Sequence, residues 1–391
     1  MTDQVFLVLN IGSSSIKFAV VGATDGAPLA RGLVQGIGVV PRLTARFGTG
    51  SAETVVAPAD EDTQGLTRWL LGHLQRRLGR VVVKAAGHRV VHGGAGFAGP
   101  AVVTPEVMAA LTALSPLAPA HQPYNLAGIR AVAALWPGVV QVACFDTSFH
   151  RSLPRLAQIY ALPRALSDEG ILRYGFHGLS YDHIARVMGG VIGAAAQGRV
   201  IVAHLGSGAS LCAMVAGQSV ETTMGFSALE GLVMGTRAGQ IDPGVILHLM
   251  RTNGMDAAAI ETLLGKQSGL LGVSGLSPDM RDLLASPDPR AAEAVDLFTA
   301  SVLRHIGGLV AGMGGLDALI FTAGIGEHSP VIRGRIMARL SWLGVVPDDA
   351  ANDTARRPTI LTQPQSRVTV AMIPADEEAV LLRALQGVIG A

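Results

Sequence analysis

The chain has 391 residues, 49% of them hydrophobic and only 15% charged, which excludes a disordered protein and suggests two to three globular domains. Thirty basic against 29 acidic residues leave a formal net charge of +1, so no basic field exists to hold nucleic acid or an anionic membrane surface. The 49 glycines follow no collagen period and point to many tight turns and close backbone approaches.

Met1-Thr2-Asp3-Gln4 lacks a basic segment ahead of an apolar one, and no signal peptide is expected. Val5 to Leu9 is a short apolar run, interrupted by Asn10-Ile11-Gly12-Ser13-Ser14-Ser15 and resumed at Ile16 to Val20, a strand–polar turn–strand pattern. Residues 41–60 read as surface loop or short strands. Helical patterns follow at about 62–79, 105–115 and 125–136, with Pro123 and Pro137 as stop signals around the last. The uncharged stretch Val107 to Ile129 contains Pro116, Pro119 and Pro123 with His121, Gln122 and Asn125, which argues against a membrane span. Cys144 and Cys212 lie in apolar runs and read as buried thiols of a reducing compartment rather than a disulfide or metal pair. A soluble, cytoplasmic protein is expected.

A helix over 180–195 precedes the strand Val200 to Ala203, which runs into His204-Leu205-Gly206-Ser207-Gly208-Ala209-Ser210 and a second strand, Leu211 to Met214. Helical patterns at 242–251 and 291–313 lead to the strand Ala318 to Thr322 and a glycine turn, Gly324-Ile325-Gly326. Residues 347–366 read as loops or short strands, and 377–387 as a closing helix. Strand–Gly/Ser-turn–strand units in both halves predict an internally duplicated α/β protein with two facing lobes. Three glycine turns after apolar strands, with Lys17 beside the first, suit a nucleotide polyphosphate.

Other motifs carry less. Gly94-Ala95-Gly96-Phe97-Ala98-Gly99 spells a dinucleotide fingerprint but is followed by a strand-like segment rather than a helix. His88 and His92 lack the intervening glutamate of a zinc helix. Neither a Walker A sequence nor a G-x-S-x-G elbow occurs. Arg89 and Arg237 are isolated cations in apolar, glycine-rich surroundings that demand an anionic partner, either a protein carboxylate or a ligand. Asp146 closes an apolar strand, where ligands gather in α/β folds. His177, between Gly175 and Gly178, is open to substrate or is a satisfied core residue.

Several strings, in order along almost the whole chain, are more specific. They include Leu9-Asn10-Ile11-Gly12-Ser13-Ser14-Ser15-Ile16-Lys17, Gly87-His88-Arg89-Val90-Val91-His92-Gly93-Gly94, Phe145-Asp146-Thr147-Ser148-Phe149-His150 and Arg173-Tyr174-Gly175-Phe176-His177-Gly178. Glu221 to Phe226, Glu230 to Arg237, Ser277 to Asp282 and Phe321 to Glu327 continue the series. Together they resemble the acetokinase family of short-chain acyl kinases, in the sugar-kinase/actin/Hsp70 superfamily. The resemblance implies two duplicated actin-like (ribonuclease H-like) α/β lobes around a nucleotide cleft. The first, residues 1–147 plus 376–391, would take the acyl substrate and metal; the second, 148–375, would bind nucleotide and pair a homodimer.

It further implies reversible transfer of a phosphoryl group from ATP to acetate or another short-chain carboxylate, with Mg2+ (or Mn2+) and without nucleic-acid or membrane partners. Asn10 and Glu377 match metal positions, and Ser13, Ser15 and Lys17 the first phosphate loop. Arg89 and Arg237 match the arginines that clamp the carboxylate and the moving phosphoryl group, His177 the transition-state stabiliser, and Asp146 the catalytic aspartate. Val91, Ala120, His121, Phe176 and Ala228 match the acyl pocket. His204, Leu205, Gly206, Ser207 and Gly208, then Asp279, Met280 and Arg281, then Gly324, Ile325, Gly326, Glu327 and His328 match the nucleotide pocket. Gly324-Ile325 leaves room for adenosine, which favours ATP over pyrophosphate.

The chemistry agrees: a carboxylate with a pKa of about 4 is already a nucleophile at neutral pH, so cations matter and a strong base does not. Asp146 is accordingly expected to orient its neighbours rather than abstract a proton. Departures from the family pattern are Ser207 for Asn, Gln240 for Asp, His328 for Asn, Asp376 for Asn, Ala120 for Leu and Ala228 for Pro. The last two remove volume beside the acetate methyl and suggest propionate or butyrate as alternative acids, unless neighbours refill the space. A non-catalytic nucleotide-binding regulator is the remote alternative.

Overall fold

The computed structural model describes residues 4–79 and 81–390. The chain divides into two compact units, one running to Phe149 and resuming at Asp376, the other His150–Ala375.

The first unit is built on an eight-stranded sheet. Its strands are β1 (Gln4–Ile11), β2 (Ser15–Gly22), β3 (Pro28–Gln35), β4 (Arg42–Phe47), β5 (Glu53–Val56), β6 (Val82–Val90), β7 (Ala101–Val102) and β8 (Val140–Phe145), in the order β5-β4-β3-β2-β1-β6-β8-β7. The strands from β5 to β1 pair antiparallel, β1, β6 and β8 run parallel, and β7 returns antiparallel. Val5 to Leu9 are all buried, as a strand covered on both faces requires. Val5, Leu7 and Leu9 pack with Leu66, Leu70 and Leu74 of the helix Thr63–Leu78 and with Val132 of the helix Gln122–Leu135. The closing helix Glu377–Ile389 lies on β1, β6 and β8, with Leu381 and Leu385 against Gly87.

The second unit carries β9 (Arg199–Leu205), β10 (Ala209–Val215), β11 (Gln218–Thr222), β12 (Ala318–Thr322), β13 (Thr359–Ile360) and β14 (Thr369–Met372), ordered β11-β10-β9-β12-β14-β13. Again the first three pair antiparallel, β9, β12 and β14 run parallel, and a short strand closes the edge antiparallel. The β3-β2-β1-β6-β8 core of one sheet thus has the order and sense of β11-β10-β9-β12-β14 in the other. The duplication inferred from the sequence is present.

Local expectations needed correction in four places. The helix Gln122–Leu135 begins before Pro123, because a helix's first turn has no intrahelical partner for the N–H that proline lacks. The expected helix 180–195 breaks at Met188 into Gly178–Val187, Gly189–Ile192 and a 3-10 turn, the Gly189-Gly190 pair being a poor helix interior. Within 347–366, Asp348 caps a short helix, Asp349–Thr354, its Oδ1 accepting from Ala351 N at 3.0 Å. Gly324-Ile325-Gly326 is the opening of a helix, Ala323–His328, rather than a turn. The longest helix, Pro289–Met313, starts with an Asp288 cap and Pro289 and stops at Gly314. Among the described residues it is the one helix long and apolar enough to cross a membrane; its Ala294, Phe298, Val302 and Ile306 are buried in the second unit's core.

Candidate active site

In the first unit, register builds the site. Leu9 pairs with His88 and Arg89 with Cys144, so Asn10, Arg89 and Asp146 emerge together at the C-terminal ends of the parallel strands, the usual ligand edge of such sheets. Arg89 Nε and Nη2 donate to the two oxygens of Asp146 at 2.9 and 2.6 Å, and Nη1 donates to Asn10 Oδ1 at 3.1 Å. Glu377 Oε2 lies 3.9 Å from Arg89 Nε. The Asp146 side chain is 2% exposed and that of Arg89 21%. Burial pushes the Asp146 carboxyl upward while the bidentate guanidinium pulls it down. Burial would discharge Arg89, but Asp146 and Glu377 together raise it, and it stays a cation. Of the two anionic partners open to Arg89, a protein carboxylate is therefore present.

The segment after Arg89 is held by the helix Gln122–Leu135. Asn125 Oδ1 accepts from Val91 N at 2.9 Å while its Nδ2 donates to Ile11 O at 2.6 Å. Gln122 pairs with both the N–H and the carbonyl of His92, at 3.2 and 3.0 Å. His121 immediately precedes this helix and lies near enough to Asp146 to lower its pKa. Val91 is buried and Ala120 exposed. Gly12, Ser13 and Ser14 form the turn between β1 and β2, closed by Gly12 N to Ser15 O at 2.9 Å; Lys17, opposite Asn10 on β2, is exposed. His88 bonds Gln141 Oε1 at 2.8 Å and is held neutral by burial, its pKa pushed down to about 4.

In the second unit His177 caps the helix Gly178–Val187 with φ 59° and ψ 20°, a left-handed conformation that costs a non-glycine residue about 1–3 kcal/mol. Its ring stacks on His204 at 4.0 Å between centroids and 17° between planes. Each Nδ1 meets a serine: His177 with Ser210 Oγ at 2.8 Å, His204 with Ser180 Oγ at 2.9 Å. A Cβ on Gly208 would lie 3.1 Å from Arg237 Nη2 and 3.3 Å from His177 Nε2, so the Gly206–Gly208 turn brings both groups to its bare backbone. Arg237 Nη1 donates to Ala228 O at 2.8 Å, and Gly235 N to Ser207 O at 3.0 Å. Phe176 is buried, and its carbonyl is hydrogen-bonded to His150 Nε2 at 3.0 Å.

The remaining nucleotide-pocket candidates share this unit. Leu205 and Met280 are buried, Asp279 caps the helix Met280–Ala285, and Arg281 pairs with Asp279 at 2.5 Å. Gly324 and His328 are exposed on the helix Ala323–His328, and Glu327 Oε1 accepts from Ala375 N at 3.0 Å.

Residues 5–383 match the acetokinase family. An acetate kinase of Rhodopseudomonas palustris (strain TIE-1) is 48% identical over 387 residues, 97% of each chain. Acetate kinase 2 of Clostridium perfringens is 40% identical, covering 96% of this chain and 97% of its own. The crystal structure of Porphyromonas gingivalis acetate kinase superposes with a TM-score of 0.88 at 36% identity, over 99% of this chain and 100% of that one. A propionate kinase from Francisella tularensis superposes with 0.89 at 33%, over 98% and 99%. The chain belongs to the acetokinase family. It is thereby a kinase that phosphorylates a carboxylate.

Several departures from the acetokinase pattern have local explanations. Asp376 caps the closing helix, Oδ1 accepting from Ala379 N at 2.9 Å, a task aspartate and asparagine perform alike. Ser207 is exposed, and its backbone carbonyl, independent of side chain, holds Gly235. Gln240 lines a polar cavity of about 260 Å³ with Arg173, Glu230 and Arg304. The acetokinase motifs alone did not single out Asn125, Gln122, Ser210, Tyr181 or Arg333. Arg333 is fully buried and donates to Gly326 O at 3.0 Å, Glu327 O at 2.8 Å, and both oxygens of Asn352 at 2.6 and 2.8 Å. It thus caps the C-terminus of the helix Ala323–His328.

Proposed function

We propose that the protein is an acetate kinase, catalysing reversible in-line transfer of the ATP γ-phosphoryl group to acetate to give acetyl phosphate and ADP. The observation that carries this reading is Arg89, held by both oxygens of a buried Asp146 beside Asn10. That is a cation oriented for an anionic acceptor, and an ionised carboxylate needs no general base to attack. Acetate is ionised at neutral pH and attacks phosphorus through a carboxylate oxygen, while the bond from phosphorus to the β–γ bridging oxygen breaks. Asp146, with both oxygens engaged, positions Arg89. Arg237 and the His177 Nε2 stabilise charge on the transferred group by orientation alone. On their match to the family pattern, Val91, Ala120 and His121 of the first unit and Phe176 and Ala228 of the second are the residues proposed for the acyl group. For the nucleotide, the family pattern proposes the turn Ser13–Ser15 with Lys17 in the first unit and, in the second, His204, the turn Gly206–Gly208, Asp279–Arg281 and Gly324–His328.

Among the described residues no cluster of three His, Cys, Asp or Glu could hold a metal. Asn10 Oδ1 and the quarter-exposed Glu377 carboxylate supply the sparse oxygen set that suits Mg2+, which keeps waters and binds substrate phosphates rather than a protein cage. When bound, Mg2+ (or Mn2+) neutralises phosphate charge. A homodimer is supported by the second unit's surface. There the helix Pro243–Thr252 buries no residue and exposes Val245, Leu247 and Met250, and Leu156 is 86% exposed. The buried thiols Cys144 and Cys212 suit the cytoplasm.

The test is acyl-phosphate formation, trapped with hydroxylamine, from ATP, Mg2+ and acetate, propionate or butyrate in parallel. Acetate preferred supports the reading. Propionate or butyrate preferred by more than tenfold would replace the acid and point to the small Ala120 and Ala228. No turnover with any acid despite ATP binding would overturn it in favour of a regulator.

A further inference from the structure

We propose that Tyr181 and Ser210 are positioning residues that fix the tautomer of His177, so that Nδ1 accepts and Nε2 carries the proton offered to the transferred group. The inference rests on the role given to His177 above and deepens it by naming the two residues that act through the imidazole.

Three polar groups stand in line: Tyr181 OH to Ser210 Oγ at 2.5 Å, and Ser210 Oγ to His177 Nδ1 at 2.8 Å. Their placement follows from two short-range facts. Tyr181 lies one turn into the helix that His177 caps, and Ser210 sits on β10 directly opposite His204 of β9. Tyr181 is fully buried, its ring edge-on to His150 and His204 at 5.5 and 6.3 Å, so the phenol has little freedom to leave the line. Burial also drives its pKa well above 10, and the phenol keeps its proton under any working condition.

A serine hydroxyl has one hydrogen and two lone pairs. Phenol is the more acidic of the two hydroxyls and the better donor, so the proposed relay has Tyr181 donating to one lone pair of Ser210 Oγ. It directs the serine hydrogen to His177 Nδ1, in place of the alternative in which the second lone pair accepts from Nδ1–H. A neutral imidazole accepting at Nδ1 carries its proton on Nε2. That nitrogen is the one facing the bare Gly208 backbone, on the side where Arg237 Nη2 also arrives. With the opposite tautomer, a lone pair would face the phosphoryl oxygens and repel them. The relay therefore converts a fully buried tyrosine into a determinant of which face of His177 is the donor.

The experiment uses the full-length protein labelled with 15N-histidine, His177 being assigned by the resonances lost in His177→Gln. The wild type is expected to show protonated Nε2 and unprotonated Nδ1. Tyr181→Phe and Ser210→Ala should give a mixture of tautomers and lower kcat, by less than the ~10²–10³-fold expected for losing a donor outright, with KM for acetate and ATP within about twofold. Ser210→Thr, which keeps a hydroxyl, should restore both tautomer and kcat, and it carries the test should Tyr181→Phe not fold. Protonated Nδ1 in the wild type overturns the relay, as does unchanged kcat in Tyr181→Phe and Ser210→Ala while His177→Gln is impaired. Full turnover by His177→Gln would instead overturn the role of His177 itself, whatever its tautomer.

Discussion

Asp146→Asn isolates what the Arg89 clamp contributes. The carboxylate accepts two guanidinium bonds at 2.6 and 2.9 Å, and its side chain is 2% exposed. Asparagine keeps the shape but offers one acceptor. Its amide hydrogens then face guanidinium hydrogens, so one bond is lost and one contact becomes repulsive. Breaking a buried pair from one side costs about 3–5 kcal/mol. Arg89 remains one-fifth exposed and keeps Asn10 and the more distant Glu377, so the lower end applies, about 3 kcal/mol. That corresponds to a melting shift of the first unit of roughly 6–12 °C. In activity, a guanidinium no longer held in one plane should lower kcat/KM for acetate by on the order of 10²-fold, with KM for ATP little changed. Differential scanning calorimetry and the hydroxamate assay read the two effects. A variant with melting temperature within about 2 °C of wild type and kcat/KM within a factor of about two would show that Asp146 does not hold Arg89.

Arg333→Leu strips donors from Gly326 O, Glu327 O and Asn352; at about 1–3 kcal/mol for each unsatisfied buried group, a loss of several kcal/mol in thermal stability is expected, with KM for ATP raised in preparations that stay folded. An unchanged melting temperature would refute the capping role. Ala120→Leu, at an exposed position, should raise the acetate-to-propionate ratio of kcat/KM by about tenfold or more; an unaltered ratio would remove Ala120 from the proposed acyl pocket. Acid should destabilise the fold early. Burial is the main cause holding His88, His92 and His150 neutral, each pushed down to about 4, whereas an unfolded chain protonates them near 6.5. The unfolded state therefore binds more protons between pH 6.5 and 4. Stability present above 6.5 is lost as pH falls through that window, by up to ~1.4 kcal/mol per pH unit for each histidine. Urea midpoints equal at pH 7 and pH 5 would contradict this, and His88→Gln should flatten the slope.

The parts of this site legible in the sequence are those in which composition conflicts with context. A lone arginine in an apolar, glycine-rich run has few uses, so Arg89 and Arg237 could be singled out without coordinates. The strand–turn–strand grammar likewise exposed the duplication, because a β1–β2 hairpin and a β9–β10 hairpin need the same alternation of buried runs and polar turns. Asn125, Gln122, Ser210, Tyr181 and Arg333 stayed hidden for the opposite reason. Asn125, Gln122, Ser210 and Tyr181 are neutral and meet backbone atoms, a hydroxyl or an imidazole distant in sequence, as Asn125 meets Ile11, while Arg333 is a cation among other arginines whose carbonyl partners carry no charge to flag it. Short helices such as Ala323–His328 escaped too, since six residues show no hydrophobic period and a glycine pair reads as a turn.

The two kinds of residue do different work. Arg89 cannot be placed by its own strand alone: a long guanidinium at the end of β6 has several rotamers, and each lost on ordering costs free energy. Asp146, from β8, selects one of them, and Asn125 fastens the backbone on either side of the pair, joining Ile11 next to Asn10 with Val91 beyond Arg89. Because Asn125 both donates and accepts, Asn125→Asp keeps the bond from Val91 N, loses the one to Ile11 O, and buries a charge near Asp146. The β1 end and the β6 end would then be free to move independently. On the roles proposed for Arg89 and Asn10, loss of affinity for acetate and for Mg2+ together, rather than for one alone, is the signature expected of a residue that fixes the spacing of the two strand ends.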